Sequence, residues 1–388
     1  MERKDYIETG MKKTKHSENY EVVIIGGGPA GTATAIQLVR LGIQSVLIVE
    51  KGSYSDSKIG ESLPPNTNVL LRQLGIWHAF KLEGHLQVGG SCSIWGSAES
   101  GYNDYFINPH GLGWHLDRNK FERFLANQAC KLGAELRTKT LFESIVSETN
   151  TGFCLEIQNE KKETTKIQAR FVVDASGAHA IFARKRGPSK NILDRLIFLS
   201  GFIEIPNAVN FSSLTMLEAV EYGWWYFAVL PGKRVIAALA TDPEVVNKYE
   251  LTKPEHWLAL LRETKVLPLQ LKPHLNLCEK IIASPALSSS LPQPCGPNWL
   301  AVGDAASSYD PICSLGIHKG LLTGMEAAKT ITEILNNSNE NALKNYHDFL
   351  ETDFKKYKKS RDYFYGLENR WAHSPFWNRR KNPNHILS

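Results

Sequence analysis

Three glycines spaced as Gly26-x-Gly28-x-x-Gly31 stand between a run of β-branched apolar residues and a helical stretch, and no other feature narrows the fold so far. The run Tyr20-Glu-Val-Val-Ile-Ile25 reads as a buried strand of a parallel sheet. Thr32 to Leu41 reads as helix, and Ser45-Val-Leu-Ile-Val49 as a second strand ending at Glu50. This is a βαβ unit. The first glycine allows the tight turn, the second lets the backbone approach a pyrophosphate, and the third lets helix and strand pack closely. Free N–H groups at the helix start face the phosphates. Glu50, 24 residues after Gly26, is placed to grip ribose hydroxyls and disfavours a 2′-phosphate. Ala30 in the turn and Lys51 after the acid join the candidate nucleotide-binding residues.

The remaining chain is long for one core, so an inserted second layer is expected in 388 residues. A helix is expected from Trp114 to Leu136, then an antiparallel meander from Leu141 to Phe171 broken at Asn150-Thr-Gly152. Leu141, at the start of the meander, is a further candidate contact to the nucleotide. Arg170-Phe-Val-Val-Asp-Ala-Ser-Gly177 returns to the parallel sheet. Residues 191–280 are β-rich and aromatic, with a helical stretch near His256 to Thr264. A strand at Asn298 to Asp304, a long helix from Ser314 to Asn336 and a helical tail complete the chain. The expected organisation is a loose leader (1–19), a discontinuous nucleotide-binding domain (20–190 and 281–336), a substrate-facing sheet (191–280) and a helical C-terminal region (337–388). The fold class is α/β, Rossmann-like, with an inserted β-rich domain and a helical C-terminus.

Composition excludes some partners. The 45 basic and 40 acidic residues give a net charge of only +5 and form no long run, which argues against nucleic acid. No segment has the roughly 18 uninterrupted apolar residues of a membrane span. Residues Met1 to Tyr20 lack a signal-peptide core. The six cysteines form no CxxC pair, so no zinc site is visible, and reduced thiols in a cytoplasm are expected.

NAD and FAD share the glycine fingerprint, and a second site separates them. Ala301-Val-Gly-Asp-Ala-Ala306 resembles the second FAD motif of glutathione-reductase-type and hydroxylase-type flavoproteins, which places a ribityl-binding role on Gly303 and Asp304. Phe171 to Gly177 resembles their intermediate strand, with Ser-Gly at its end. Leu116-Asp117-Arg118 carries their arginine before the long helix. Asp310-Pro-Ile-Cys-Ser-Leu-Gly316 resembles the loop whose helix start faces the flavin pyrimidine, which implicates Pro311, Gly316 and Ile317. The resemblance implies FAD.

Lys58-Ile-Gly-Glu-Ser-Leu-Pro-Pro65 resembles a stretch of the flavin-dependent halogenases and their non-halogenating relatives, and adds Gly60, Glu61 and Ser62. Tryptophan halogenases carry a Trp-x-Trp-x-Ile-Pro element; here the stretch is Gly223-Trp-Trp-Tyr-Phe-Ala-Val-Leu-Pro231. Their lysine falls on Gly90 and their glutamate on Cys313, so halogenation becomes the secondary expectation. The whole chain resembles most the flavoproteins that mature cysteine-tryptophylquinone enzymes, through Gly60 to Pro65, Gly223 to Tyr226, Asp310 to Ser314 and the aromatic tail Arg361-Asp-Tyr-Phe-Tyr365. That resemblance implies an FAD-dependent monooxygenase acting on a tryptophan of a precursor of a quinone-cofactor amino-acid oxidase. Electrons would come from NAD(P)H directly or through a reductase. Trp224 and Tyr226 are candidates to line the substrate cavity, and Cys313 and His318 to act beside the flavin. Two alternatives stay open: a small-molecule hydroxylase or halogenase, and a non-catalytic flavoprotein chaperone. Oligomeric state stays open.

Overall fold

The computed structural model describes residues 18–55, 59–187, 189–204, 212–268, 272, 275–337, 339 and 341–381. Most of the expected leader, and Lys58 of the Gly-Glu-Ser stretch, lie outside the described residues.

The fingerprint strand, Glu18–Ile25, lies inside a parallel sheet. On one side it pairs with Val46–Val49, which pairs in turn with Glu135–Arg137. On the other it pairs with Thr164–Asp174, which pairs with Trp299–Ala301. Val22 to Ile25 and Val46 to Val49 are all buried, as their continuous apolar runs require. The helix Pro29–Arg40 connects the first two strands. A second helix, Gly316–Asn337, packs against it so closely that a Cβ on Gly324 would stand 2.5 Å from the Ala30 carbonyl oxygen.

The expected meander is present as Thr140–Thr149, Gly152–Asn159 and Thr164–Asp174, antiparallel in that order. Its last strand does two jobs. One edge pairs antiparallel with Gly152–Asn159, and the other pairs parallel with Glu18–Ile25.

The helix expected from Trp114 is corrected to Arg118–Leu132. Asp117, in extended conformation, accepts from the Lys120 N–H at 3.0 Å and caps it, and left-handed Gly133 ends it. Trp114 instead belongs to the short strand Gly113–His115, paired with Ser62–Leu63.

Among the described residues the second sheet has seven strands: Ile282–Pro285, Ile197–Glu204, Arg234–Thr241, Gly223–Leu230, Thr215–Val220, Gly90–Ile94 and Ser100–Asp104, in spatial order. Its last two strands come from the segment before residue 190. Strand alternation divides the aromatic run. Trp225 and Phe227 pack with Leu199 and Trp257 on one face, and Trp224 and Tyr226 with Phe198, Tyr365 and Trp377 on the other. Helices Ala342–Leu367 and Pro375–Lys381 supply Tyr365 and Trp377.

Candidate functional site

A cavity of about 640 Å³ opens where the parallel sheet, the second sheet and the two long helices meet. The glycine turn forms one end. Gly26 has φ +112°, which an L side chain rarely adopts. A Cβ on Gly31 would come within 2.0 Å of the Gly26 carbonyl oxygen, so the turn and the helix close on each other. Gly28 differs. A Cβ there would meet no protein atom within 4 Å, because the residue faces the cavity. That open space beside a helix N-terminus is shaped for a pyrophosphate.

Asp304, Gly303, Pro311, Gly316 and Ile317 form the far wall, with Ala30 between. One Asp304 carboxylate oxygen is held 2.6 Å from the buried ammonium of Lys319, and the side chain stays half exposed toward the cavity. A carboxylate so anchored suits the hydroxyls of a ribityl chain. The start of the 22-residue helix Gly316–Asn337 contributes its positive end. Gly60, Glu61, Ser62, Arg118 and Tyr226 complete the lining predicted from the sequence. Arg118 donates to the carbonyls of Ile59 at 2.6 Å and Gly60 at 2.7 Å, which fixes the Gly-Glu-Ser turn, and pairs with Glu122. The residues present fit FAD.

Glu61 is buried, and neither carboxylate oxygen has a hydrogen-bond partner among the described residues. Burial pushes its carboxyl up to about 7 against the pull of the Arg118 guanidinium.

Tyr226 heads a directional hydrogen-bond chain. Its hydroxyl is 2.7 Å from Ser62 Oγ, which is 3.3 Å from Thr215 Oγ1, which is 2.8 Å from His115 Nε2. His115 Nδ1 is 2.8 Å from the Val229 carbonyl, which can only accept. Burial lowers the His115 pKa to about 4, so the ring is neutral and Nε2 is an acceptor. Thr215 then donates to His115, Ser62 to Thr215, and Tyr226 to Ser62. The phenol proton is committed, and Tyr226 offers the cavity lone pairs.

The other predicted residues stand outside the lining. Glu50 accepts from the Gly27 N–H at 2.6 Å and the Gly52 N–H at 2.7 Å, and so shapes the glycine turn. Lys51 is exposed beyond it, and Leu141 is exposed on the meander. Trp224 is fully buried on the strand face that meets the tail, donating to the Tyr365 hydroxyl at 3.1 Å. Cys313 ends the turn Pro311–Cys313, and burial pushes its thiol up to about 12. His318 turns to Thr67, with Nδ1 3.1 Å from its hydroxyl.

Sequence reasoning missed several lining residues. Lys190 and Arg184 line the cavity from a loop with no motif. The Lys190 ammonium donates to the Asp304 carbonyl at 2.5 Å, and burial lowers its pKa to about 8. Phe198 adds an aromatic wall beside Tyr226. Asp310 also lines the cavity. It accepts from Tyr365 at 2.7 Å and lies 3.6 Å from Arg361, which bonds Asp194 at 2.6 Å. The paired Asp310 and Arg361 had no local signal, since 51 residues separate them. No helix among the described residues is long and apolar enough to cross a membrane.

Residues 19–260 match the family model described as FAD binding domain. The FAD-dependent oxidoreductase LodB of Marinomonas mediterranea is 28% identical over 368 residues, spanning 94% of this chain and 97% of that protein. The 1H-pyrrole-2-carbonyl-(peptidyl-carrier protein) chlorinase of Pseudomonas fluorescens is 24% identical, over 86% of this chain and 83% of that one. Among solved structures, the myxobacterial chondrochloren halogenase CndH superposes with a TM-score of 0.84 at 22% identity, covering 94% of this chain and 86% of that one. The peptidyl tryptophan dihydroxylase QhpG superposes at 0.72 and 21%, covering 94% and 79%. These two likenesses establish the fold.

Proposed function

The chain belongs to the FAD binding domain family, and from that premise we propose that it is a flavin-dependent monooxygenase that hydroxylates a tryptophan of a precursor protein while a tryptophylquinone cofactor is made. It is an FAD-dependent oxidoreductase with the halogenase-like fold. The observation that carries the proposal is the shared cavity: the aromatic wall Phe198 and Tyr226 lines the same space as Gly28 and Asp304. An aromatic ring and a flavin can therefore be held together.

FAD, once reduced, supplies the electrons that activate dioxygen for attack on an electron-rich ring. The chain does the rest. Gly28 and the helix start at Pro29 take the pyrophosphate, and Asp304 takes the ribityl hydroxyls. Phe198 and Ile59 exclude water beside the ring. The lone pairs of Tyr226 accept a hydrogen bond from a ring N–H, which an indole has. The positive N-terminal end of Gly316–Asn337, which lines the cavity, would stabilise negative charge on a bound reduced flavin. Electrons arrive from NAD(P)H, directly or through a reductase. The tryptophan assignment is supported by the likeness to QhpG, a peptidyl tryptophan dihydroxylase.

Halogenation is the second reading, supported by the chlorinase relative. Against it, the position where halogenases carry their lysine is Gly90, outside the cavity lining, where a Cβ would stand 2.3 Å from the Asn103 carbonyl oxygen. Co-expression with a quinone-enzyme precursor tests both. Intact mass should show added oxygen on the precursor with this protein and none with Asp304→Ala. A halide-dependent halogenated product, or a precursor that matures equally without the flavoprotein, overturns the proposal.

A further inference from the structure

Glu61 is a buried carboxyl whose two oxygens have no hydrogen-bond partner among the described residues. A buried acceptor left unpaired destabilises the fold, so such a group calls for a role. Its position supplies one. It lines the large cavity with Ser62 and Tyr226, and it also lines a separate pocket of about 40 Å³ bounded by Asp117, Arg118, Asn119 and Arg234. Glu61, both of its carboxylate oxygens buried, therefore lies between the cavity and a second, smaller pocket of mixed polar and apolar lining.

We propose that Glu61 is the acid–base residue of this cavity and carries into it the proton that ring hydroxylation takes from solvent. The proposal rests on the hydroxylation reading. In that reaction a ring C–H becomes C–O–H with one atom of dioxygen, and the other atom leaves as water. Reduced flavin, as its anion, supplies two electrons and one proton, and the second proton comes from solvent. Glu61 gives that proton to the departing oxygen and regains one through the small pocket.

The other titratable groups facing the cavity fit the task less well. The proton of Tyr226 is committed to Ser62, and burial pushes its pKa far up. Asp310 is tied to Tyr365 and Arg361. Lys190 is bonded to Asp304, beside the expected ribityl chain. Charges facing Glu61 are Arg118, Asp117 and Arg234 on the pocket side, and Arg184, Lys190, Asp304 and Asp310 around the cavity. Of these, Arg118 acts on it most strongly, favouring the ionised form, and burial outweighs it.

Two measurements on the FAD-loaded protein test this. Infrared difference spectra between acid and alkaline pH should contain a protonated-carboxyl stretch that titrates near 7 and disappears in Glu61→Gln. Reoxidation of the photoreduced protein by oxygen also consumes a solvent proton, with no substrate present. At pH 6 Glu61→Gln should slow it about a hundredfold and lose the pH-dependent limb, and Glu61→Asp should restore part of both. The proposal fails if the wild-type protein has no such band, if the band survives in Glu61→Gln, or if the reoxidation profile is unchanged. Neither readout needs a hydroxylated product, so a failure of these two measurements is distinguishable from a failure of the monooxygenase reading in the co-expression test.

Discussion

At Gly28 the protein keeps a space that no side chain of its own fills. Replacing it with valine should leave the fold intact and remove the yellow colour. The expected result is FAD in the wild type, colourless Gly28→Val, and an unchanged circular dichroism spectrum. Retained flavin in Gly28→Val would move the pyrophosphate elsewhere. This role was legible in the sequence, because glycine spacing is a local property of the backbone. The surroundings of Glu61 were not. The motif made it a candidate, but its isolation depends on what residues 117, 118, 226 and 234 do around it. The reverse holds for Trp224, Cys313 and His318. Each lies near the cavity in sequence or space, but Trp224, on the same strand face as Tyr226, is covered by the tail through Tyr365, Cys313 closes a turn, and His318 turns to Thr67.

Among the elements, the tail helix Ala342–Leu367 is tied to the cavity wall by Arg361 between Asp194 and Asp310, all buried. Burial raises the Asp310 pKa and the guanidinium opposes it. Arg361→Ala leaves two buried carboxylates facing each other and should cost about 3–5 kcal/mol. Urea unfolding measures it, and a loss below about 1 kcal/mol means the cluster is not the tie described. Val46–Val49, Trp299–Ala301 and the buried ends of Glu18–Ile25 and Thr164–Asp174 were readable as apolar runs closed by a turn, whereas the parallel strand Glu135–Arg137 was not, because its polar residues continue the pattern of the expected helix. The short strand Gly113–His115 was not, because its residues also fit the amphipathic pattern of the helix that follows, and only Asp117 marks the boundary. Nor did the sequence reveal that Gly90–Ile94 and Ser100–Asp104 join the second sheet. Ser100–Asp104 pairs with Gly90–Ile94, and Thr215–Val220, the strand that joins Gly90–Ile94 to that sheet, lies more than a hundred residues away.

For the molecule as a whole, two buried groups set opposite pH dependences. His115 is neutral in the fold, with its pKa lowered to about 4 by burial, so it costs stability as pH falls from about 6.5. Glu61 keeps its proton in the fold up to about 7 while the unfolded chain loses it near 4.5, so stability falls as pH rises through that window. Glu61→Gln removes only the second effect. Relative to wild type it should gain on the order of 3 kcal/mol between pH 4.5 and pH 7.5. Urea midpoints at the two pH values measure the difference, and no relative gain means that Glu61 is ionised in the fold.

The sheet order also has a consequence for how the chain is made. Trp299–Ala301 pairs on one edge with the neighbouring Cys295–Gly296 and on the other with Thr164–Asp174, made more than a hundred residues earlier. At about 5–20 residues per second, roughly 15–60 s of synthesis separate the first strand from the one that finishes this edge. Until then Val172–Asp174, beyond the Gly152–Asn159 pairing on the same edge, is bare, and the cavity lacks Gly303, Asp304 and the second helix. An exposed apolar edge invites pairing with another chain. A nascent chain of this kind depends on whatever shields that edge until its last third leaves the ribosome, and flavin can only enter afterwards.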